Sequence, residues 1–324
     1  MNIRLLPSLL FACSLFALAA LPAYSEEQLN KPEPGLEISI KQKTLFNSHT
    51  SYQFGNPVPP YQQPLSKLEF PVDSVWGGLE VRKQISRFSV GVDFLTSVTD
   101  QETGRFKDSD WAEESNTAFL TNYGETSCRL EPSYQVGADI DMQVADLLRL
   151  PKEFNLRPVL GFRWQQFSLM AHDGIQYDYD ISGLPPDILD LPGNTIAFEQ
   201  TWYQYFLGAR VGYEWRSVPW LYRIKLQTQM DWSYVEGYNR DHHLLRAGNR
   251  ITEEETTGDA WHAVLSAVFG ITRNLDLGIE ADYLKIETTG THTLNDSNFS
   301  LSWSNGVKVW SEQYGMSVKL GYRF

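Results

Sequence analysis

Two short segments of this 324-residue chain carry side chains that can manage protons: Asp108-Ser109-Asp110-Trp111 and Arg240-Asp241-His242-His243. A carboxylate beside an imidazole makes a general base. The Asp orients the ring and stabilises its charged form, and the ring takes a proton from water. Two adjacent carboxylates crowd negative charge, so one of them keeps a proton at neutral pH. Such a pair can hold a water or serve a developing oxyanion. In extended chain, residues i and i+2 share a face. Asp108 and Asp110 then point one way together, as do Asp241 and His243, while His242 points away. Each segment also has an ordinary reading. Paired Asp is common in solvated turns, and neighbouring histidines suit a metal ion. The chemistry depends on whether the fold brings the segments together.

The elements that must position them are strands. Phe88, Val90, Val92 and Phe94 alternate with Ser89, Gly91 and Asp93. Similar rows run through Tyr134–Val144, Tyr222–Tyr234, Trp261–Phe269, Leu275–Tyr283 and Val318–Phe324. Alternation over such lengths marks strands with one apolar and one polar face. Crossing a bilayer takes roughly nine to eleven tilted residues. Connections sort into two classes. Short turns contain Arg82-Lys83-Gln84, Pro151-Lys152, Ser217-Val218-Pro219 and Thr272-Arg273-Asn274, and long segments lie near 46–66, 100–132, 171–198, 236–258 and 288–305. Four short turns and five long loops join ten strands, with both termini on the short-turn side, the periplasmic side of an outer-membrane barrel. The expected fold is all-β: a ten-stranded antiparallel transmembrane β-barrel with five long extracellular loops. The third strand is expected to end near Thr99 and the seventh near Glu236, which puts both acidic segments at the extracellular end. In a ring of ten, these strands face each other across roughly 20 Å, from ~4.8 Å strand spacing and ~40° tilt.

Composition agrees. Ten Trp, sixteen Tyr and seventeen Phe are many for one soluble core, whereas a membrane barrel spreads aromatics over two interfacial girdles. A soluble β-sandwich has shorter strands and no two-class turn pattern. Residues 1–25 have the form of a secretory signal: Arg4, an apolar stretch from Leu5 to Leu21, then Ala23 and Ser25 before Glu26-Glu27. Residues 26–324 are then the barrel domain with its extracellular cleft. Cys13 leaves with the signal, so Cys128 has no partner for a disulfide. A net charge of −13 argues against nucleic acid as a partner and suits a cationic peptide.

Asp108-Ser109-Asp110-Trp111, Asp241-His242-His243 and the following Arg250-Ile251-Thr252 resemble the motifs of the omptin family of outer-membrane proteases. Strand number, chain length and the terminal Phe324 fit too. The resemblance implies an endopeptidase with a water nucleophile, in which Asp241 and His243 activate the water and Asp108 and Asp110 complete the site from the opposite wall. It implies a peptide or protein substrate, outer-membrane lipid and lipopolysaccharide as partners, a monomer, and no cofactor besides a requirement for lipopolysaccharide. The chain departs from the pattern in two places. Omptins that cleave between basic residues use an acidic pocket, and its positions here align with Asn239 and His49. The family's lipopolysaccharide-binding Glu and Arg are absent from Phe162-Arg163-Trp164-Gln165-Gln166-Phe167, and a further family Arg aligns near Thr201. Two other readings stand beside the protease: a non-catalytic barrel on the same scaffold, and a metal-dependent hydrolase using His242, His243 and nearby carboxylates. The second lacks spacing of the His-Glu-x-x-His kind.

Overall fold

The computed structural model describes residues 35–59, 61–98 and 100–324. The expected signal, residues 1–25, lies outside the described residues, as does Thr99. Fourteen strands form one antiparallel sheet: β1 (Leu36–Leu45), β2 (His49–Phe54), β3 (Ser66–Pro71), β4 (Ser74–Ile85), β5 (Phe88–Ser97), β6 (Gln101–Asp110), β7 (Asn122–Leu130), β8 (Tyr134–Met142), β9 (Phe154–Asp178), β10 (Asp187–Val218), β11 (Leu221–His243), β12 (Ile251–Gly270), β13 (Leu275–Asp296) and β14 (Phe299–Arg323). The pairs β1/β2, β3/β4, β5/β6 and β7/β8 are four interrupted staves, and β9 to β14 are six continuous ones. The sheet closes twice. Near the chain termini β1 pairs with β14, and towards the other end β14 pairs with β2. Likewise β9 pairs with β8 below and β7 above. Ten staves therefore make the ring at both levels.

Side-chain groups replace the hydrogen bonds that the ladder loses at the interruptions. The Ser48 amide donates to Asp73 Oδ1 at 2.7 Å, and the Ser133 amide donates to Ser97 Oγ at 3.0 Å. A gap in the ladder is tolerable only where such partners exist. Both ends of the described chain lie on the turn side, where the Phe324 amide donates to the Leu36 carbonyl.

The period-two rows fold inside out. Along β11, Tyr222, Leu226, Met230, Trp232 and Tyr234 are exposed, and Gln229, Asp231, Ser233, Asn239 and Asp241 are buried. An apolar outer face with a polar interior suits lipid outside and a hydrated lumen inside. Outward positions turn polar above this belt, at Glu236 and Arg240 on β11 and at Asp259, Glu255 and Glu253 on β12.

Strand ends differ from expectation. The third stave resumes as β6 and runs to Asp110, and the seventh runs to His243. Most of each long connection after the first is strand carried beyond the apolar belt, and the residues between strands there are 55–59, 61–65, 111–121, 179–186, 244–250 and 297–298. These extensions carry charged residues on their outward face, so they show no apolar alternation although they stay paired, with register shifts such as those at Leu191/Asn194 and Gly290/His292.

The lumen has two parts. The lower part is a cavity of about 800 Å³ lined by charged side chains. They pair closely: Lys319 meets Glu280 at 2.8 Å, Arg163 meets Asp231 at 2.6 Å and Arg210 meets Asp141 at 2.5 Å. Above it an aromatic floor crosses the barrel. Ring centroids are 4.5 Å apart for Phe106–Phe70, 4.0 Å for Phe70–Phe198, 5.9 Å for Phe198–Tyr52, 6.5 Å for Tyr52–Phe54 and 4.2 Å for Phe54–His292. Such pairs add about 0.5–1.5 kcal/mol each beyond simple burial.

Candidate functional site

The register of three short strands sets one wall of the site. Tyr52 on β2 is opposite Leu68 on β3, and Leu68 is opposite Asp108 on β6. Asp110 is opposite Ser66 on one side and Asn122 on the other. The facing wall is the top of β11, where Asp241 pairs across the ladder with Phe198 of β10. Phe198 is also part of the aromatic floor, so the floor fixes the height of Asp241.

The two pairs meet above that floor. Asp241 is fully buried. Its Oδ1 lies 3.5 Å from His243 Nε2, and its Oδ2 accepts the Tyr52 hydroxyl at 2.6 Å. His243 keeps a partly exposed side chain. Burial pushes the Asp108 carboxyl well above the usual carboxylate range, and the charges of Asp110 and Asp241 push the same way. Burial also raises Asp110, against a hydrogen bond from Ser66 and the positive charges of Arg246 and His243. Asp108 therefore holds its proton more tightly than an exposed carboxyl does, as a buried carboxyl crowded by two others should. Its Oδ1 is buried with no hydrogen-bond partner in the protein.

All four anticipated side chains, Asp108, Asp110, Asp241 and His243, thus converge. His242 follows the strand alternation to the outer face, opposite Ala197. It cannot join His243 on a shared metal ion, and the metal-dependent reading loses its ligand pair. His49 is also displaced from its anticipated place. Thr50 and Tyr52 reach inward to Gln200 and Asp241, so His49 faces out, into a crevice with Glu69, Arg105 and Lys107. The first stave reaches the site through Tyr52. Asn239 does face the lumen, where Gln200 Nε2 donates to its Oδ1 at 3.1 Å.

A model of the omptin family matches residues 62–324. The chain belongs to the omptin family. This omptin shares its fold with the outer membrane protease OmpT from Escherichia coli: TM-score 0.79 and 18% identity, covering 93% of this chain and 100% of that one. The translocator domain of the autotransporter NalP from Neisseria meningitidis has a TM-score of 0.36 at 9% identity, covering 98% and 95% of the two chains. No curated protein matches the sequence.

Sequence reasoning missed three features of this omptin's site. Tyr52 lies in the first long connection, and its contact with Asp241 crosses the lumen. Arg246 acts on Asp108 and Asp110 from the segment 244–250. Glu254, opposite Asn239 on the β11–β12 ladder, is buried with His292, whose Nδ1 lies 2.8 Å from Glu254 Oε1. Burial raises the Glu254 carboxyl, and Asp241 adds to this while His292 and Asn239 oppose it.

Proposed function

We propose that this omptin is an outer-membrane endopeptidase. Its cleft faces the outside of the cell and cleaves peptides or proteins with a water activated by Asp241 and His243. The observation that supports this most is the meeting of a buried Asp241 beside a partly exposed His243 with a crowded Asp–Asp pair above one aromatic floor. Water held between the walls gives a proton to the His243 ring as its oxygen attacks the scissile carbonyl. Asp241 stabilises the resulting imidazolium. Asp108, already protonated, donates a hydrogen bond to the carbonyl oxygen as it becomes an oxyanion. The imidazolium then gives its proton to the departing amine, leaving a carboxylic acid and an amine, and proton exchange between them gives a carboxylate and an ammonium group. The aromatic floor excludes bulk water and strengthens each of these interactions.

The remaining parts of the reading follow. Residues 1–25 direct export, the exposed apolar belt contacts lipid, and the protein acts as a monomer with no metal. Lipopolysaccharide, if it is required, is held by residues other than the family's Glu and Arg. A free acid at Asn239 is lacking, and Glu254 beside it is engaged by His292, so a strict preference for basic side chains is not expected. Digesting a peptide library with refolded protein, with and without lipopolysaccharide, tests this function. Cleavage is expected. Its absence in both arms would favour a non-catalytic barrel on the omptin scaffold.

A further inference from the structure

Asp241 has two oxygens, of which one accepts a hydrogen bond and the other has only His243 nearby. Oδ1 faces His243, and Oδ2 accepts the Tyr52 hydroxyl at 2.6 Å. Tyr52 is itself fixed. It is completely buried, its ring packs on Phe198 and Phe54, and its hydroxyl has Thr252 Oγ1 as a second neighbour at 3.5 Å. Phe198 pairs directly with Asp241, so the same residues set the position of the ring and of the carboxylate. No side chain other than Tyr52 donates a hydrogen bond to Asp241 within 3.0 Å among the described residues.

We propose that Tyr52 is a positioning residue for the Asp241–His243 pair, pinning one carboxylate oxygen so that the other faces the imidazole and drawing off part of the negative charge that His243 would otherwise meet. This rests on the endopeptidase reading. The physical basis is that a hydrogen bond to a charged acceptor is stronger than one to a neutral acceptor and stabilises the charge it meets. Burial also keeps the hydroxyl protonated: it raises the Tyr52 phenol well above its usual range, and the charges of Asp241 and Glu254 add to this. Tyr52 is therefore a donor at every pH at which the enzyme would work. The other charged groups around the pair are Asp108 and Asp110 on β6, Arg246 in the segment 244–250, Asp178 on β9, and Glu254 on β12 with its partner His292 on β13. None of them replaces a neutral donor on Oδ2.

The test is Tyr52→Phe, which keeps the ring and removes the hydroxyl. Without the donor, more of the Asp241 charge acts on His243 and holds its ring proton more firmly. The acid limb of the pH–activity profile should move to higher pH by about one unit, the scale on which one hydrogen bond to a charge acts. Below that limb kcat should fall roughly tenfold, with KM unchanged because Tyr52 is buried beneath the cleft. The ring titration of His243, read by carbon-13 NMR on histidine-labelled protein and assigned with His243→Ala, should move by the same amount. Trp76→Leu, which loosens a buried contact with Phe167 and touches neither Tyr52 nor Asp241, should lower stability and leave both midpoints in place. A Tyr52→Phe protein whose activity is scaled equally at all pH values, with the His243 titration unmoved, overturns the proposal. If no variant cleaves any peptide but the His243 titration moves in Tyr52→Phe, the positioning role stands and the endopeptidase reading fails.

Discussion

Asp108 is the residue where protonation, stability and chemistry meet. Its carboxyl is raised by burial first and by Asp110 and Asp241 next. A carboxyl raised in the folded state binds its proton more tightly there than in the unfolded chain. Its contribution to stability is therefore fully present below the unfolded value and falls as pH rises towards the folded one. Asp108→Asn removes the group that must ionise, so it should raise the melting temperature relative to wild type at neutral and alkaline pH. The gap should close in acid, and thermal scans across pH measure it. The same substitution should cost at least ~100-fold in cleavage, the usual scale for a positioned acid or base. Asn239 offers a test of specificity. It occupies the place of a family pocket acid and faces the lumen beside Gln200. Asn239→Asp should enrich cleavage after Arg and Lys in a peptide library, and an unchanged profile would show that this position does not contact substrate. The Asp–Asp and Asp–His pairs were legible in the sequence because i and i+2 spacing in a strand is local. Tyr52, Arg246 and the Glu254–His292 pair were not, because their contacts cross the lumen or the ladder and depend on stagger that no local spacing records.

At the scale of elements, the short strands β2, β3, β6 and β7 carry one wall of the site on interrupted staves, while β11 carries the other on a continuous one. The rows of alternating residues that cross the apolar belt were legible because lipid enforces the pattern. Where the same strands rise above the belt, water accepts polar side chains on the outer face, the contrast between faces fades, and ordered strand reads as loop. That explains the misjudged ends of the third and seventh strands, and also the placement of His49, which a shift of one residue moves to the opposite face. Phe70 shows what the floor contributes. It is fully buried, stacked on Phe198 and tilted against Phe106. Phe70→Ala should destabilise the protein by about 3–5 kcal/mol, as large-to-small changes in packed aromatic cores do. Urea unfolding in detergent would measure this, and a loss under ~1 kcal/mol would mean the floor is loosely packed.

For the whole molecule, the ring of ten staves sets the width of the cleft, and the aromatic floor divides an ion-paired base from the end that carries the two pairs. The aromatic girdles should mark the bilayer at two depths. Trp220 lies on the turn after β10 and Trp215 sits near the same end, whereas Trp232 and Tyr234 lie far up β11. Lipid-attached quenchers at defined depth should therefore separate Trp215 and Trp220 from Trp232, and aromatics spread evenly through the depth would count against a membrane barrel. The central claim is that the two pairs cleave peptide bonds with water and no metal. The rate at which refolded wild type and His243→Ala cleave one good library peptide, followed against pH with a strong chelator and lipopolysaccharide present, tests it most directly. Wild type is expected to cleave despite the chelator, faster as the imidazole loses its proton, and His243→Ala to be slower by at least ~100-fold; equal rates for the two proteins, or activity abolished by the chelator and restored by zinc, would rule out the Asp–His water mechanism.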